Sequence, residues 1–80
     1  MTEHHLKIWN NQYWDIVNGI KTAEVRYNDR DYRQGDTIVF KLWDPIGNCY
    51  LGLTIARQIA DVQDLTPFGI PGFVLMEIRQ

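Results

Sequence analysis

Alternation of apolar and polar residues in short segments is the feature that most constrains the fold of this chain. It occurs in five stretches, at about residues 5–9, 22–27, 37–43, 49–60 and 73–78. Successive side chains of an extended strand point to opposite faces, so the pattern predicts five β-strands. In the third stretch, Ile38, Phe40 and Leu42 mark the inner face.

Residues 10–18 show helical spacing instead, which predicts one short helix packed on the barrel. The residues of its apolar side are Tyr13, Ile16 and Val17. Asn10 or Asn11 would cap this helix, and Gly19 would end it. Polar or Gly-containing turns are predicted at residues 28–31, 34–36 and 44–47, the last of these a hairpin. Residues 61–72 contain two Pro and two Gly and predict a loop with room for one helical turn.

With 80 residues, the chain is expected to form a single domain, residues 1–80. About five strands and one principal short helix after the first strand predict a mainly β, α+β fold, namely a small β-barrel. Closure of the barrel would remove the exposed edges that an open sheet of this size must protect.

Composition narrows the classes of function. The net charge is −2, so a broad positive field for non-specific duplex binding is not expected. No segment approaches the roughly 20 apolar residues of a membrane span. The N-terminus lacks the pattern of a signal peptide, and Cys49 is the single cysteine, so a reducing cytoplasm is expected. No metal site or cofactor is predicted, because one Cys and two N-terminal His show no ligand spacing.

The segment Gly19-Ile20-Lys21-Thr22-Ala23-Glu24-Val25-Arg26 concentrates the chemistry of the chain. In an extended strand, Thr22, Glu24 and Arg26 share one face. The opposite face, formed by Ala23, Val25 and Tyr27, is apolar and suited to a core. Lys21 would stand at the mouth of the strand, so that the polar face could orient a small polar ligand. The alternative is that Glu24 and Arg26 only pair across a solvated strand face.

This segment matches the Gly-x-Lys-x-x-Glu-x-Arg signature of ASCH domains, which belong to the PUA-like superfamily of small β-barrels. The match extends along nearly the whole chain. It is most similar to a compact ASCH-like domain of unknown function found in bacteria and their phages. The further residues that carry the resemblance are residues 4–8, Asn28-Asp29-Arg30-Asp31-Tyr32, Gly35-Asp36 and Trp43-Asp44.

The resemblance implies binding of RNA or of modified nucleobases in a cleft between the barrel and its helix. One bacterial ASCH branch hydrolyses N4-acetylcytidine with a Lys, a Thr and a carboxylate. Lys21 matches that Lys, whereas Glu24 stands at the position of the Thr. The carboxylate of that branch lies in a longer helical segment, where this chain has only residues 61–72.

Three classes of function therefore stay open. In a binding module for RNA or a nucleoside-like molecule, Lys21 or Arg26 would meet a phosphate or base carbonyl, and Glu24 would accept from an exocyclic amine. In a small amidohydrolase, Glu24 would be the general base and Lys21 would stabilise the oxyanion. A bacterial or phage protein-interaction module is the third class. The candidate ligand-binding residues are Lys7, Lys21, Thr22, Glu24, Arg26, Asn28, Arg30 and Trp43.

Side chains near the motif have structural alternatives as well. Trp9, Trp43 or Tyr27 would stack on an unpaired base if they were not used in packing. Arg30 and its neighbouring aspartates would either fix the loop through turn hydrogen bonds or contact the ligand. His4 would form a hydrogen bond within the barrel mouth.

Overall fold

The structure is a computed structural model that describes residues 1–79. It confirms a mainly β architecture with five strands and one short α-helix after the first strand. A single turn of 3-10 helix, Thr66–Phe68, precedes the last strand. The elements in chain order are β1 (Glu3–Ile8), α1 (Asn10–Val17), β2 (Ala23–Tyr27), β3 (Thr37–Asp44), β4 (Cys49–Asp64) and β5 (Phe73–Arg79).

The strands form one sheet, curled into a half-barrel, in the order β1-β3-β4-β5-β2. The pair β1 and β3 is parallel, and the other neighbours are antiparallel. The predicted end of β4 at residue 60 is wrong, because the strand continues to Asp64. A register shift between Ile59 and Asp61 keeps this extension paired with β5. The loop between β4 and β5 is therefore shorter than predicted. The bent β4 thereby links both halves of the sheet.

The core lies on the concave side of the sheet, under α1. Its residues are Leu6, Ile8, Tyr13, Ile16, Tyr32, Ile38, Phe40, Leu42, Ile59, Val74, Met76 and Ile78. Burial of each large aliphatic or aromatic side chain contributes about 1.5–3 kcal/mol. The inner face that the sequence predicts for β3 is confirmed, because its three apolar residues are all buried.

The helix begins one residue after Trp9, which is its N-cap. The predicted cap by Asn10 or Asn11 is wrong, because both residues lie inside the helix. The Asn10 side chain instead accepts a hydrogen bond from the Trp14 indole at 3.0 Å. Tyr13 and Ile16 pack into the core as predicted, whereas Val17 is exposed at the end of the helix. Gly19 follows with φ 74°, the left-handed conformation that commonly ends a helix.

Side chains, not backbone hydrogen bonds, span the gap between β1 and β2. In the sheet formed by residues 1–79, these are the two edge strands. The sheet is therefore a half-barrel, and the closure expected from the sequence does not occur. The Arg26 guanidinium donates to the carbonyl of Lys7 at 2.9 Å, and Arg30 donates to the carbonyl of His5 at 3.1 Å. The two arginines therefore satisfy backbone groups that a neighbouring strand would otherwise bind. None of the helices within residues 1–79 has the length and apolar composition needed to cross a membrane.

Candidate functional site

The polar face of β2 points inward, which reverses the predicted orientation of the strand. Glu24 is only 6% exposed, whereas Val25 and Tyr27, predicted to face the core, are 51% and 58% exposed. Register with β5 explains the difference, because Glu24 pairs with the buried Met76. Directly opposite residues of an antiparallel pair project to the same face, so the even-numbered residues of β2 must point inward.

Two cations compensate the charge of the buried Glu24 carboxylate. The Lys21 ammonium lies 2.9 Å from Oε1, and the Arg26 Nε donates to Oε2 at 2.9 Å. Lys21 reaches this position because its backbone N–H and that of Ile20 both donate to the Asp15 carbonyl at the end of α1. The structure thus brings together the three charged residues of the motif. Their pairing takes place on a buried face, not on the solvated face considered as the alternative.

Lys7 and Arg26 line a cleft where β1 meets the start of α1. The cleft has a volume of about 230 Å3, and its lining is completed by Ile8, Trp9 and Gln12. Lys21 and Glu24 do not line it. Glu24 and the Lys7 carbonyl hold Arg26 through its Nε and Nη2, and Arg26 lines the cleft. The cleft therefore combines two cations, an amide and an indole.

Trp43 contacts the Lys7 side chain on the outer face of the sheet. The Lys7 ammonium lies 4.0 Å from the centroid of the Trp43 ring, within the range of a cation–π contact. Trp43 is half-buried and contacts the edge of Tyr50, with ring centroids 4.8 Å apart. Its indole face is thus already occupied by Lys7, so Trp43 orients that lysine.

The other predicted site residues take part in hydrogen bonds that hold the backbone in place. The Asn28 side chain accepts from the Tyr32 N–H at 3.0 Å, which fixes the turn after β2. Arg30 reaches across to β1, as described above. Thr22 is exposed just before β2, and its carbonyl accepts from Ile78 N–H at 2.8 Å. These three residues do not join the cleft that Lys7 and Arg26 line.

A larger cavity of about 340 Å3 lies beyond the other end of β2, where Tyr27 and Asn28 face the end of β4. Asp64 contributes the carboxylate of this cavity. Hydrogen bonds from the backbone N–H and hydroxyl of Thr66 lower the pKa of Asp64 below its ordinary value. Both bonds use Oδ1, so the Asp64 carboxylate holds the first residue of the 3-10 turn.

A buried polar cluster joins the start of β1 to the turn before β3. The Asp36 carboxylate accepts from His4 Nε2 at 2.8 Å and from the backbone N–H groups of Thr2 and Arg33, both at 3.1 Å. The His4 hydrogen bond, aided by these N–H groups, lowers the pKa of Asp36 below its ordinary value. Tyr32 packs edge-on against His4 with ring centroids 4.7 Å apart, and burial raises its pKa. His4 thus has the hydrogen-bonded position predicted from the sequence.

Sequence reasoning did not include Gln12 among the site residues, and it named Trp9 only as one of several aromatic candidates. The sequence signal for Trp9 was its position at the end of the alternating first stretch, directly before the predicted helix. Gln12 carries no comparable signal. Among residues 1–79, no three His, Cys, Asp or Glu side chains are grouped in a way that would hold a metal ion.

Comparison with known proteins places the chain in a family. The chain is similar to the "Uncharacterized 12.9 kDa protein in GpA 3'region" of Escherichia phage P2, with 34% identity over 74 residues. The aligned region is 91% of this chain and 64% of the phage protein, so the chain spans less than two thirds of that relative. A family model described as "Domain of unknown function (DUF3850)" matches residues 3–78. Because this match covers almost all of the half-barrel, the chain belongs to the DUF3850 family.

Proposed function

We propose that the protein binds RNA or a nucleoside-like ligand in the cleft lined by Lys7, Ile8, Trp9, Gln12 and Arg26. The observation that carries the proposal is an exposed indole beside Arg26 in one concave site, whose lining also includes Lys7. The ASCH-like signature of residues 19–26 supports the same class of ligand, since it supplies Arg26 and the Glu24 carboxylate that positions it.

The donors of the cleft are available to a ligand. Arg26 uses its Nε for Glu24 and one N–H of Nη2 for the Lys7 carbonyl. A guanidinium carries five N–H groups, so others are left to donate to a phosphate or a base carbonyl. Lys7 is tethered over Trp43 but retains its three ammonium donors. Gln12 adds an amide that can both donate and accept.

The size of the cleft favours one base at a time. Its volume of about 230 Å3 lies below the roughly 300–1,000 Å3 of typical sites for drug-sized molecules. Trp9 is 58% exposed, so much of its side chain is accessible to a base. Stacking of a base on an aromatic side chain contributes about 1–3 kcal/mol and tolerates any base.

Replacing Trp9 with alanine tests this site. We expect Trp9→Ala to weaken the binding of uridine monophosphate or a short single-stranded RNA by about tenfold, because the stacking platform is lost. The measurement is a fluorescence or calorimetric titration at one fixed salt concentration, since affinities for nucleic acids depend on salt. Trp14→Ala is the matched control, because Trp14 lies on the helix that follows Trp9, is 43% exposed and does not line the cleft.

Equal losses in the two tryptophan variants would contradict the assigned cleft. No binding of either ligand to the unmodified protein would reject the proposal itself, and it would favour the protein-interaction class.

The amidohydrolase alternative receives less support from the geometry. Both oxygens of Glu24 are paired with cations, so this carboxylate would have to leave Lys21 or Arg26 before it could accept a proton. We therefore expect no release of cytidine when the protein is incubated with N4-acetylcytidine and the products are separated by chromatography. Release that is abolished by Lys21→Ala would overturn this expectation.

A further inference from the structure

Two lysines face each other on the outer surface of neighbouring strands. Lys7 of β1 is the register partner of Lys41 of β3, and the strands are about 4.8 Å apart. Within residues 1–79, neither ammonium lies within 4.0 Å of a carboxylate. Like charges placed directly opposite each other destabilise a sheet. An anion held between them would reverse the sign of that contribution.

Tyr50 connects this lysine pair to a second hollow on the same surface. Its ring centroid lies 6.0 Å from the Lys7 ammonium and 5.7 Å from the Lys41 ammonium. The hollow has a volume of about 240 Å3 and is lined by Lys41, Tyr50, Gly52, Leu53 and Thr54. Tyr50 is half exposed, and the space above Gly52 is open, so a flat ring can approach both.

The lysine pair therefore lies between two concave sites. Lys7 belongs to the cleft that contains Trp9, and Lys41 belongs to the hollow that contains Tyr50. Each site offers an aromatic side chain, and the point between them offers two uncompensated positive charges. A chain of nucleotides has the matching order of groups, namely base, phosphate and base.

We propose that the ligand is a single-stranded oligonucleotide that occupies both sites, with a phosphate between Lys7 and Lys41 and a second base on Tyr50. This inference rests on the proposed function of the Trp9 cleft and names its ligand more narrowly. A free nucleotide fills one site only, so a dinucleotide or longer strand binds more tightly.

Substitutions in the second site distinguish the two proposals. The probes are uridine monophosphate and an oligouridylate of four nucleotides. We expect Tyr50→Ala to weaken oligouridylate binding by about tenfold while the monophosphate binds as before, because only the longer strand carries a second base. Lys41→Gln should weaken the binding of both probes, because each carries a phosphate. The plot of log affinity against log salt has a negative slope, and Lys41→Gln should make this slope shallower by about 0.7, the value for one phosphate contact on a single strand. Arg33→Gln is the control for loss of a positive charge, since Arg33 is exposed in a loop and paired with Asp31.

Each outcome decides between the proposals. If Trp9→Ala weakens both probes but Lys41→Gln and Tyr50→Ala weaken neither, the two-site inference is wrong and the cleft proposal survives. An equal effect of Lys41→Gln and Arg33→Gln, or equal affinity of the unmodified protein for both probes, would also overturn the inference. If neither probe binds, both proposals fail. Thermal unfolding of each variant excludes misfolding as the cause, and Lys41→Gln should not lower the melting temperature because it relieves a repulsion.

Discussion

Replacement of Asp36 by alanine is expected to lower the free energy of unfolding by about 3 kcal/mol, because three buried or half-buried donors lose their acceptor. These donors are the His4 ring and the backbone N–H groups of Thr2 and Arg33. A donor left unsatisfied in the interior costs about 1–3 kcal/mol. The carboxylate is central because it ties the start of β1 to the turn that leads into β3.

Urea denaturation of the purified variant measures this effect. Arg33→Ala is the matched control, because it leaves the Arg33 backbone N–H in place and removes only an exposed ion pair with Asp31 in the same turn region. Exposed pairs contribute between about 0 and 1 kcal/mol. A loss below about 1 kcal/mol for Asp36→Ala would show that water replaces the three hydrogen bonds.

Acid should remove the stability that the Asp36 carboxylate contributes. The pKa of Asp36 is lowered in the folded state, chiefly by the His4 hydrogen bond. The stability it contributes is therefore fully present above the unfolded pKa of about 3.9 and is lost as the pH falls through the folded value. Asp36→Asn should show a flatter loss of stability below about pH 4 than the unmodified protein. Parallel curves for the two proteins would contradict this linkage.

Replacement of Glu24 by alanine is expected to cost about 2 kcal/mol of stability. Removing one partner of a fully buried ion pair costs about 3–5 kcal/mol. Here Lys21 and Arg26 are partly exposed, with 23% and 31% of their side chains accessible, so water compensates part of the loss. Glu24→Gln should lose less, because its amide oxygen still accepts a hydrogen bond.

The same change should weaken ligand binding. Without Glu24, the Arg26 side chain loses the contact that holds its Nε, so fewer of its conformations present donors to the cleft. Chemical denaturation and nucleotide titration of the same samples measure both effects. Glu3→Ala is the control, because Glu3 pairs with His5 on an exposed face. A Glu24→Ala protein as stable as this control would show that the ion cluster contributes nothing.

The alternation in the sequence was sufficient to predict the strands but not which face of β2 is inside. By composition, the face with Val25 and Tyr27 is the apolar one, and local hydrophobicity alone assigns it to the core. The orientation of β2 is set by its pairing with β5, which lies about fifty residues later in the sequence and places Met76 opposite Glu24. The buried Glu24 carboxylate is tolerated because Lys21 and Arg26, from the same short segment, neutralise its charge.

The site was only partly predictable for a related reason. Local spacing grouped Lys21, Glu24 and Arg26, and the structure brings these three together. The cleft, however, is made by Lys7 and Trp9 from the first strand and its end, which meet Arg26 only through the curl of the sheet. The pairing of Lys7 with Lys41 depends on a parallel register that a single sequence does not encode in any short pattern.

The two arginines that cross from β2 and its following turn to β1 have a consequence for the behaviour of the protein at high concentration. Outward carbonyls on an edge strand are the groups by which another molecule adds a strand and begins to polymerise. At His5 and Lys7 these carbonyls are already bound by Arg30 and Arg26. The half-barrel thus protects an open edge against self-association without the extra strand that full closure would require.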